Sequence, residues 1–294
     1  MGLRHQIRSS CLQAAAPEPC RSFLFLLPLI ILFSFSTDSP AGVSVRYEYT
    51  HDSFRYEFHN PSIFNTPETV PHFFVQKYSG NQHWAVVEAE YRLLNSLWQT
   101  TAGFTPSHTA SGDDVDTFFQ PDGNIIQSGT TGKVSIRSFR LNQRIEIWSA
   151  PQVALVGGIH FRRDRSEFHP GDAFITQTKP PSETRWITYD EETTISDLYS
   201  VSIAAKRSQA WNRWQVAGSL EWSPLLVASL TTILPQKYPG REIVFQARAF
   251  ALEPEFQVRY SRFCLSARYT FARGYSQDNN FRRDAWSLTF GIRL

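Results

Sequence analysis

The sequence predicts an all-β protein, a transmembrane antiparallel up-and-down barrel of about ten strands with long outer loops. Three observations predict this class. Apolar and polar residues alternate along most of the chain, long connections alternate with short ones, and the alternation continues to the last residue. A secreted β-sandwich or a lipocalin-like barrel would also alternate. Neither explains the aromatic residues at the strand ends, nor a long strand that ends at the last residue.

The last nine residues show the alternation most clearly. Large apolar side chains such as Trp286, Phe290 and Leu294 alternate with small or polar ones such as Ser287. Because successive side chains of a strand point to opposite faces, this strand has one apolar and one polar face. In lipid every backbone polar group needs a partner within the protein, so we expect this strand to pair with the first, near Val43.

The bulk composition excludes two classes of protein. The formal net charge is only +2, whereas a dedicated nucleic-acid-binding protein usually carries a strong basic excess. The mean hydropathy of −0.31 excludes a bundle of membrane helices. A membrane barrel can have this value because half of each strand faces water. We therefore expect no nucleic-acid partner.

One continuously apolar run, Phe23–Phe35, is too short to span a bilayer comfortably. Basic residues precede it and small residues follow it, which is typical of a secretory signal peptide. We predict a signal over residues 1–41, cleaved near Ala41, and a barrel over residues 42–294. A buried core strand or an anchor helix is the alternative for the apolar run.

Cysteine use and motif searches predict no cofactor and no metal. After removal of the signal, Cys264 would be the only cysteine, so neither an internal disulfide nor a cysteine zinc cluster could form. The sequence contains no glycine-rich phosphate loop and no nucleophile elbow of the GxSxG type.

The alternation also predicts which charges face the lumen and where the penultimate strand is irregular. A shift of the apolar parity between Tyr260 and Phe263 predicts a β-bulge near Ser261. Charges inside a soluble core would be very costly unless paired, but they are ordinary in a polar, partly wet lumen. The predicted lumen charges are Glu88, Glu90, Lys206, Arg248, Arg268 and Arg293.

Connections that alternate between long and short are typical of outer-membrane barrels, which have short periplasmic turns and long outer loops. The predicted long loops are Asn60–Gln82, Phe104–Gly132, Phe168–Arg185, Thr231–Gly240 and Ala272–Arg283. The predicted short turns lie near Asn95, Pro151, Ser208 and Pro254. With an even number of strands, both termini would lie on the periplasmic side.

An acidic segment, Ser111–Gly123, carries the candidate catalytic residues in the second predicted loop. Alternation in an extended segment places Asp114 and Asp116 on the same side. Two close carboxylates can share a proton, and one of them could act as a base on water. Solvated loop acids or Asx-turn formers are the alternative.

This segment resembles the omptin family of outer-membrane proteases. The resemblance rests on Asp114-Val115-Asp116 before an aromatic residue, on the stretch Lys237–Phe245 (KYPGREIVF), and on the strand and loop layout. It implies a ten-stranded surface endopeptidase with Asp114 and Asp116 as catalytic residues. It implies that the stretch KYPGREIVF leads into the eighth barrel strand.

The other half of the family's site departs from the pattern. The family uses an Asp-x-His couple in the fourth outer loop, and the matching positions here are Leu234 and Gln236. The base for water activation is then missing, unless another histidine substitutes for it. His72 and His169 are the candidates in the outer loops, and each could equally be a plain loop residue.

A second polar cluster, His160–His169, lies at the end of the fifth predicted strand. It could form an ion-pair network in the lumen or contact lipid phosphates at the membrane rim. A solvated basic loop is the alternative.

Two functions from different classes follow. The first is a surface endopeptidase with Asp114 and Asp116 at the outer rim. The second is a non-catalytic barrel for binding, adhesion or structure. A channel ranks third, since side chains fill so small a barrel. The expected partners are outer-membrane lipid or lipopolysaccharide, and a peptide or protein ligand at the outer loops.

Overall fold

The computed structural model describes residues 42–59, 72–120, 122–179, 184–187, 191–233, 242–275 and 279–294. The predicted signal, with its cleavage near Ala41, lies outside these ranges and stays a prediction. No helix formed by the described residues is long and apolar enough to cross a membrane.

The described residues form antiparallel strands joined in one sheet. The strands are β1 (Gly42–His59), β2 (His72–Leu93), β3 (Ser96–Phe119), β4 (Ile125–Ala150), β5 (Val153–Gln177), β6 (Thr184–Ile187), β7 (Glu192–Trp211), β8 (Trp214–Ile233), β9 (Glu242–Tyr260), β10 (Phe263–Gly274) and β11 (Asn279–Arg293). Within these ranges β6 pairs only with β5, and the other ten strands form the barrel wall. The predicted fold of about ten antiparallel strands is confirmed. As the resemblance implied, β9, which follows KYPGR, is the eighth strand of the wall.

The sheet closes into a ring. Its strand order is β4-β3-β2-β1-β11-β10-β9-β8-β7-β5, and β5 pairs with β4. The pairing of β1 with β11 runs from Ser44 opposite Arg293 to Phe58 opposite Asn279. The backbone N–H of Leu294 donates to the carbonyl oxygen of Val43 at 2.8 Å. The predicted return of the last strand to Val43 is therefore confirmed.

The apolar face of each strand points outward over one half of the barrel. Trp286, Leu288 and Phe290 keep 42%, 49% and 48% of their surface exposed, whereas Ser287 and Thr289 between them are buried. Such a continuous exposed apolar surface is the lipid-facing band of a membrane barrel. We call it the apolar band.

Exposed aromatic residues mark both edges of the apolar band, as in membrane barrels generally. One edge carries Trp148, Trp211, Trp214, Tyr260 and Phe263, near the short turns. The other edge carries Phe104, Tyr199, Trp222, Tyr269 and Trp286. Beyond this second edge the strands continue toward the long connections, and their outward side chains become polar.

The short turns have two residues each: Leu94–Asn95, Pro151–Gln152, Asn212–Arg213 and Ser261–Arg262. The first two confirm the prediction, and the turns predicted near Ser208 and Pro254 are wrong. Ser208 lies within β7, which continues to Trp211. Pro254 lies within β9, where the ladder to β10 is interrupted between Leu252 and Glu255. A proline is tolerated at such a gap because it needs no ladder hydrogen bond from its nitrogen.

The predicted bulge near Ser261 is also wrong, because Ser261 belongs to the turn between β9 and β10. Its φ of +53° is typical of a tight hairpin turn. Tyr260 and Phe263 are direct register partners across this turn, and both are exposed. The shift in apolar parity therefore arises because two residues turn the chain between two strands.

Three of the predicted long loops, 104–132, 168–185 and 272–283, are largely strand in the described structure. For example, β3 continues to Phe119 and β4 begins at Ile125, so the segment 104–132 is nearly all extended. The reason is visible in β1. Apolar residues such as Val45 and Tyr47 point outward in the apolar band, whereas Phe54 and Tyr56 point inward beyond it. The strand continues while its apolar parity reverses, and the sequence pattern therefore breaks.

The lumen within the apolar band is filled with charged residues in ion pairs. The pairs that cross or line it include Arg46–Glu88, Arg140–Glu48, Arg144–Glu221 and Arg268–Glu255. Glu88, Glu90, Lys206 and Arg268 line the lumen as predicted, and Arg293 lies at its rim with Glu90. The prediction that Arg248 faces the lumen is wrong. Arg248 is exposed on the outer surface because Ala247 and Ala249 take the inward positions of β9.

Beyond the apolar band the interior is packed with aromatic and aliphatic side chains. The rings of Phe58 and Phe245 stack with centroids 4.2 Å apart. Tyr56 Oη and Ser196 Oγ form a 2.9 Å hydrogen bond between β1 and β7, which lie on opposite sides of the ring. Buried residues of this filled section include Phe54, Tyr56, Phe58, Tyr78, Val134, Phe168, Leu198, Leu230, Phe245 and Phe281.

Candidate functional site

The predicted catalytic residues lie on a strand and point into the barrel. On this part of β3 the even-numbered residues face inward, so Asp114 is fully buried and Asp116 is 8% exposed. Alternation therefore places the two carboxylates on one side, as predicted. They face the interior beyond the filled section, whereas the sequence predicted a loop.

A third carboxylate joins them from β7. Glu192 Oε1 accepts hydrogen bonds from Gln76 Nε2 and Thr194 Oγ1, both at 2.8 Å. The Asp114 carboxyl group lies beside that of Glu192 and affects its pKa. We call Asp114, Asp116 and Glu192 the acidic cluster.

Burial raises the pKa of the Glu192 carboxyl above its ordinary value, and the negative charge of Asp116 adds to this effect. Hydrogen bonds from Gln76 and Thr194 oppose it without cancelling it. Burial also raises the pKa of the nearby Tyr78 hydroxyl, and the charges of Glu192 and Asp114 add to that shift. Two carboxyl groups in such surroundings can share a proton. The acidic neighbour of Asp114 is Glu192, a residue that the sequence did not single out.

The two candidate histidines do not complete a site in the described structure. His169 lies on the outer face of β5, half-exposed, with Nδ1 at 3.4 Å from Glu191 Oε1. It therefore points away from Asp114. His72 is described only by its backbone, which pairs with Phe118. Leu234 and Gln236 lie outside the described residues, so the assignment of Asp114 and Asp116 as catalytic residues stays a prediction.

A serine, a histidine and a glutamate meet in the lumen, where the sequence gave no motif. His160 Nε2 lies 2.7 Å from Ser202 Oγ and 2.6 Å from Glu221 Oε1. In a catalytic triad the acid holds the other ring nitrogen, Nδ1, so that Nε2 can take the serine proton. Here both groups contact the same nitrogen, and Glu221 also binds Arg144 at 2.5 Å. The arrangement is a structural ion cluster.

The segment His160–His169 divides by alternation. Arg162 points inward and binds Asp52 and Asp164, each at 2.8 Å. The predicted ion-pair network of the lumen is therefore confirmed for the inward half of the segment. The outward half of the segment is exposed, and its Arg163 forms an ion pair with a residue of a neighbouring strand.

Arg163 makes two parallel hydrogen bonds to the Asp197 carboxylate, at 2.6 and 2.7 Å. This outward pair lies just beyond Phe161 and Tyr199, which are outward aromatic residues of the same two strands. Polar contacts between strands therefore begin where the apolar band ends.

Four cations occupy directly opposite positions on four adjacent strands, on the outer face beyond the apolar band. We call this set the cation row: Lys77, Arg55, Arg282 and Arg273. Arg273 binds Asp284 at 2.9 Å and Arg55 pairs with Glu57. Among the described residues, Lys77 and Arg282 have no carboxylate within ion-pair distance, although Lys77 is the register partner of Asp113. Like charges directly opposite each other destabilise a sheet, so the row favours an anion.

No protein-family model matches the sequence, and no curated protein matches it. Solved structures do match. The outer membrane protease OmpT from Escherichia coli matches with a TM-score of 0.58 at 8% identity, over 88% of this chain and 99% of that chain. Ail, the attachment invasion locus protein of Yersinia pestis, gives 0.34 at 12% identity, over 88% and 100%. The translocator domain of NalP from Neisseria meningitidis gives 0.35 at 12% identity, over 93% and 95%.

At 8% identity the likeness to OmpT shows the barrel fold alone. The closed ring of strands and its exposed apolar band are those of a β-barrel of the bacterial outer membrane. In such barrels the short turns face the periplasm and the long connections face the outside. The filled section, the acidic cluster and the cation row therefore lie toward the cell exterior.

Proposed function

We propose that the protein is a non-catalytic outer-membrane barrel that acts by binding at the cell surface. The observation that supports this role is the filled section. Phe58, Phe245 and their neighbours pack together in the interior beyond the membrane, so the described side chains obstruct the path of a solute there. Function is then left to the outer face and the extracellular end.

Burial of the acidic cluster supports the same role. Hydrolysis needs a water molecule beside the carboxylate that activates it. Asp114 is fully buried, and the neighbouring Glu192 is 4% exposed. Glu192 accepts a hydrogen bond from Gln76 and so joins β7 to β2 across the interior, which is a structural task.

The partner that the outer face fits best is lipopolysaccharide, whose phosphate groups lie next to the membrane. Arginine and lysine bind phosphate oxygens through strong charge-assisted hydrogen bonds. In the cation row, Lys77 and Arg282 have no carboxylate within ion-pair distance among the described residues. A peptide or protein bound at the outer loops is a second kind of partner for the same binding role.

A surface endopeptidase is the second candidate function. The neighbouring carboxyl groups of Asp114 and Glu192 favour it, because a carboxyl pair that shares a proton can activate water. The resemblance of the Asp114–Asp116 segment to the omptin family points the same way. In this mechanism Asp114 and Asp116 hold the attacking water, and one of the two carboxylates acts as the base.

Peptide cleavage separates the two functions. The full barrel is refolded in micelles that contain lipopolysaccharide and incubated with a library of peptides rich in basic residues. The binding role predicts no cleavage above background for the wild type. The endopeptidase predicts cleavage that falls about 100-fold or more in Asp114→Asn or Asp116→Asn. Asp113→Asn, on the outer face of the same strand, is the matched control and should not affect cleavage.

Binding of lipopolysaccharide is tested with a charge-matched pair of variants. Lys77→Gln combined with Arg282→Gln should weaken binding by about tenfold, since two charge-assisted contacts are lost. Arg213→Gln combined with Arg262→Gln removes the same charge at the periplasmic turns and should leave binding unchanged. Equal affinity of both double variants would reject the cation row as the binding surface.

A further inference from the structure

The periplasmic end of the barrel carries an excess of positive charge. Among the described residues, the four turns and the five residues at the periplasmic end of each wall strand contain seven arginines and two glutamates, Glu90 and Glu146. Arg46 is paired with Glu88, which lies deeper in the lumen. Six arginines against two glutamates leave four positive charges, and a carboxylate at the end of the chain would still leave three. The six are Arg92, Arg207, Arg213, Arg259, Arg262 and Arg293.

Three of these arginines lie on one side of the ring, where β7 to β10 end. They are Arg207, near the end of β7, and Arg213 and Arg262 in the turns. All three are exposed and have no ion-pair partner in the part of the chain that the structure describes. We call them the basic rim. The Ser261 N–H donates a hydrogen bond to the carbonyl oxygen of Arg213 at 3.0 Å, so the two turns lie side by side.

The two turns lie at the edge of the membrane. Trp211 and Trp214 flank the turn that carries Arg213, and Tyr260 and Phe263 flank the neighbouring turn. All four rings are exposed and belong to the periplasmic edge of the apolar band. Aromatic girdles of membrane barrels lie at the level of the lipid headgroups. The arginines of both turns are therefore at the headgroup level of the periplasmic leaflet.

Arg207 points outward from the same wall, toward lipid. Its register partner Val153 is exposed on the lipid-facing side, as is Ala205, the next outward residue of β7. A charge left in the hydrocarbon is costly. An arginine avoids this cost when its apolar stem lies along the barrel and its guanidinium reaches the headgroups. Arg207 thus adds a third cation at the same level.

We propose that the basic rim binds the phosphate groups of anionic phospholipids in the periplasmic leaflet of the outer membrane. The guanidinium fork matches two oxygens of a phosphate. Basic residues beside a membrane are attracted to anionic lipid. A soluble acidic protein fits less well, because the basic rim lies on the lipid-facing edge of the wall. The proposal goes beyond the binding role at the cell surface and does not depend on it.

Native mass spectrometry tests the site with the full barrel in non-ionic detergent micelles. The barrel is titrated with phosphatidylglycerol, which is anionic, or with phosphatidylcholine of the same acyl chains, which is not. We expect phosphatidylglycerol to be retained at about tenfold lower concentration, since charge-assisted contacts are added. Excess inorganic phosphate should not displace it, because phosphate alone makes no contact with the apolar band.

A charge-matched pair of double variants locates the site. Arg213→Gln combined with Arg262→Gln should weaken retention of phosphatidylglycerol by about tenfold. Retention of phosphatidylcholine should stay as in the wild type, which shows that the variant has folded. Lys133→Gln combined with Lys179→Gln removes the same charge at the outer end, away from the apolar band, and should change neither lipid.

Three results would overturn the proposal. Equal retention of the two lipids by the wild type would leave the basic rim to an acidic soluble partner. Equal losses of phosphatidylglycerol in both double variants would mean that net charge, and not the basic rim, attracts the lipid. Displacement by inorganic phosphate at the concentration of the lipid would mean that the site takes phosphate and does not select a lipid.

Discussion

Within the acidic cluster, the protonation of Glu192 depends on folding. Glu192 accepts hydrogen bonds from Gln76 and Thr194 in a buried setting, and its pKa is raised by that burial. A folded-state pKa above the unfolded value means that the folded protein binds the proton more tightly. The stabilisation is then fully present below the ordinary value of about 4.5 and is lost as pH rises through the folded pKa.

Glu192→Gln should therefore remove part of the pH dependence and raise the free energy of unfolding at neutral pH. The amide keeps an oxygen for Gln76 and carries no charge. Each unit by which the pKa was raised contributes about 1.4 kcal/mol. Urea unfolding of the refolded barrel on both sides of pH 4.5 measures the effect. Glu191→Gln, at the exposed neighbouring position, is the control, and an identical pH profile for both variants would contradict the argument.

At this scale, contacts along one strand could be predicted and contacts across the lumen could not. Alternation alone places Asp114 and Asp116 on one side. Gln76, Glu192 and Thr232 come from three other strands, and no spacing in the sequence brings them together. The register of ten strands decides which side chains meet.

Each strand combines two environments along its length. In β11, Trp286 and Leu288 face outward in the apolar band, whereas Phe281 faces inward in the filled section. The alternation predicted the strand order, the turns at Asn95 and Pro151 and the outward face of the last strand. It missed the outer halves of the strands, because apolar parity reverses where lipid no longer covers the outer face.

Leu288→Arg should destabilise the barrel by about 2–4 kcal/mol, since it places a charge against the hydrocarbon. Thr109→Arg has the same inserted side chain on an exposed position of β3 beyond the apolar band, and should cost less than about 1 kcal/mol. Denaturant unfolding in lipid vesicles measures both variants. Equal losses would mean that the apolar band does not face lipid.

The interior of the barrel has two halves. Within the apolar band it is lined with charged residues, and beyond the apolar band it is packed with aromatic and aliphatic side chains. The fold class, the closure and the outer-membrane location could be predicted from the sequence. They follow from the alternation of apolar and polar residues and from the need to pair every backbone polar group in the membrane. The filled section could not, because it needs Phe58 and Phe245 from strands that are not neighbours. The filled section is a more direct argument against a channel function than the small size of the barrel.

In planar bilayers the wild-type barrel should therefore show no steady ion conductance. Phe58→Ala combined with Phe245→Ala removes the stacked rings and should produce measurable conductance in the barrels that still fold. Phe263→Ala combined with Phe290→Ala removes a second pair of contacting rings, on the lipid-facing side, and should stay silent. Steady conductance of the wild type would show that the filled section opens.

The seam between β1 and β11 has a consequence for how the protein matures. Every other pair of neighbouring wall strands is close in the order of synthesis, but β1 must wait for β11. Glu57 and Asn280, which are hydrogen-bonded across this seam, are 223 residues apart. Until then the sheet has two unpaired edge strands, which tend to pair with other chains and aggregate. Joining such distant segments is slow. A periplasmic chaperone would therefore be needed most before β11 pairs with β1, while these edge strands are unpaired.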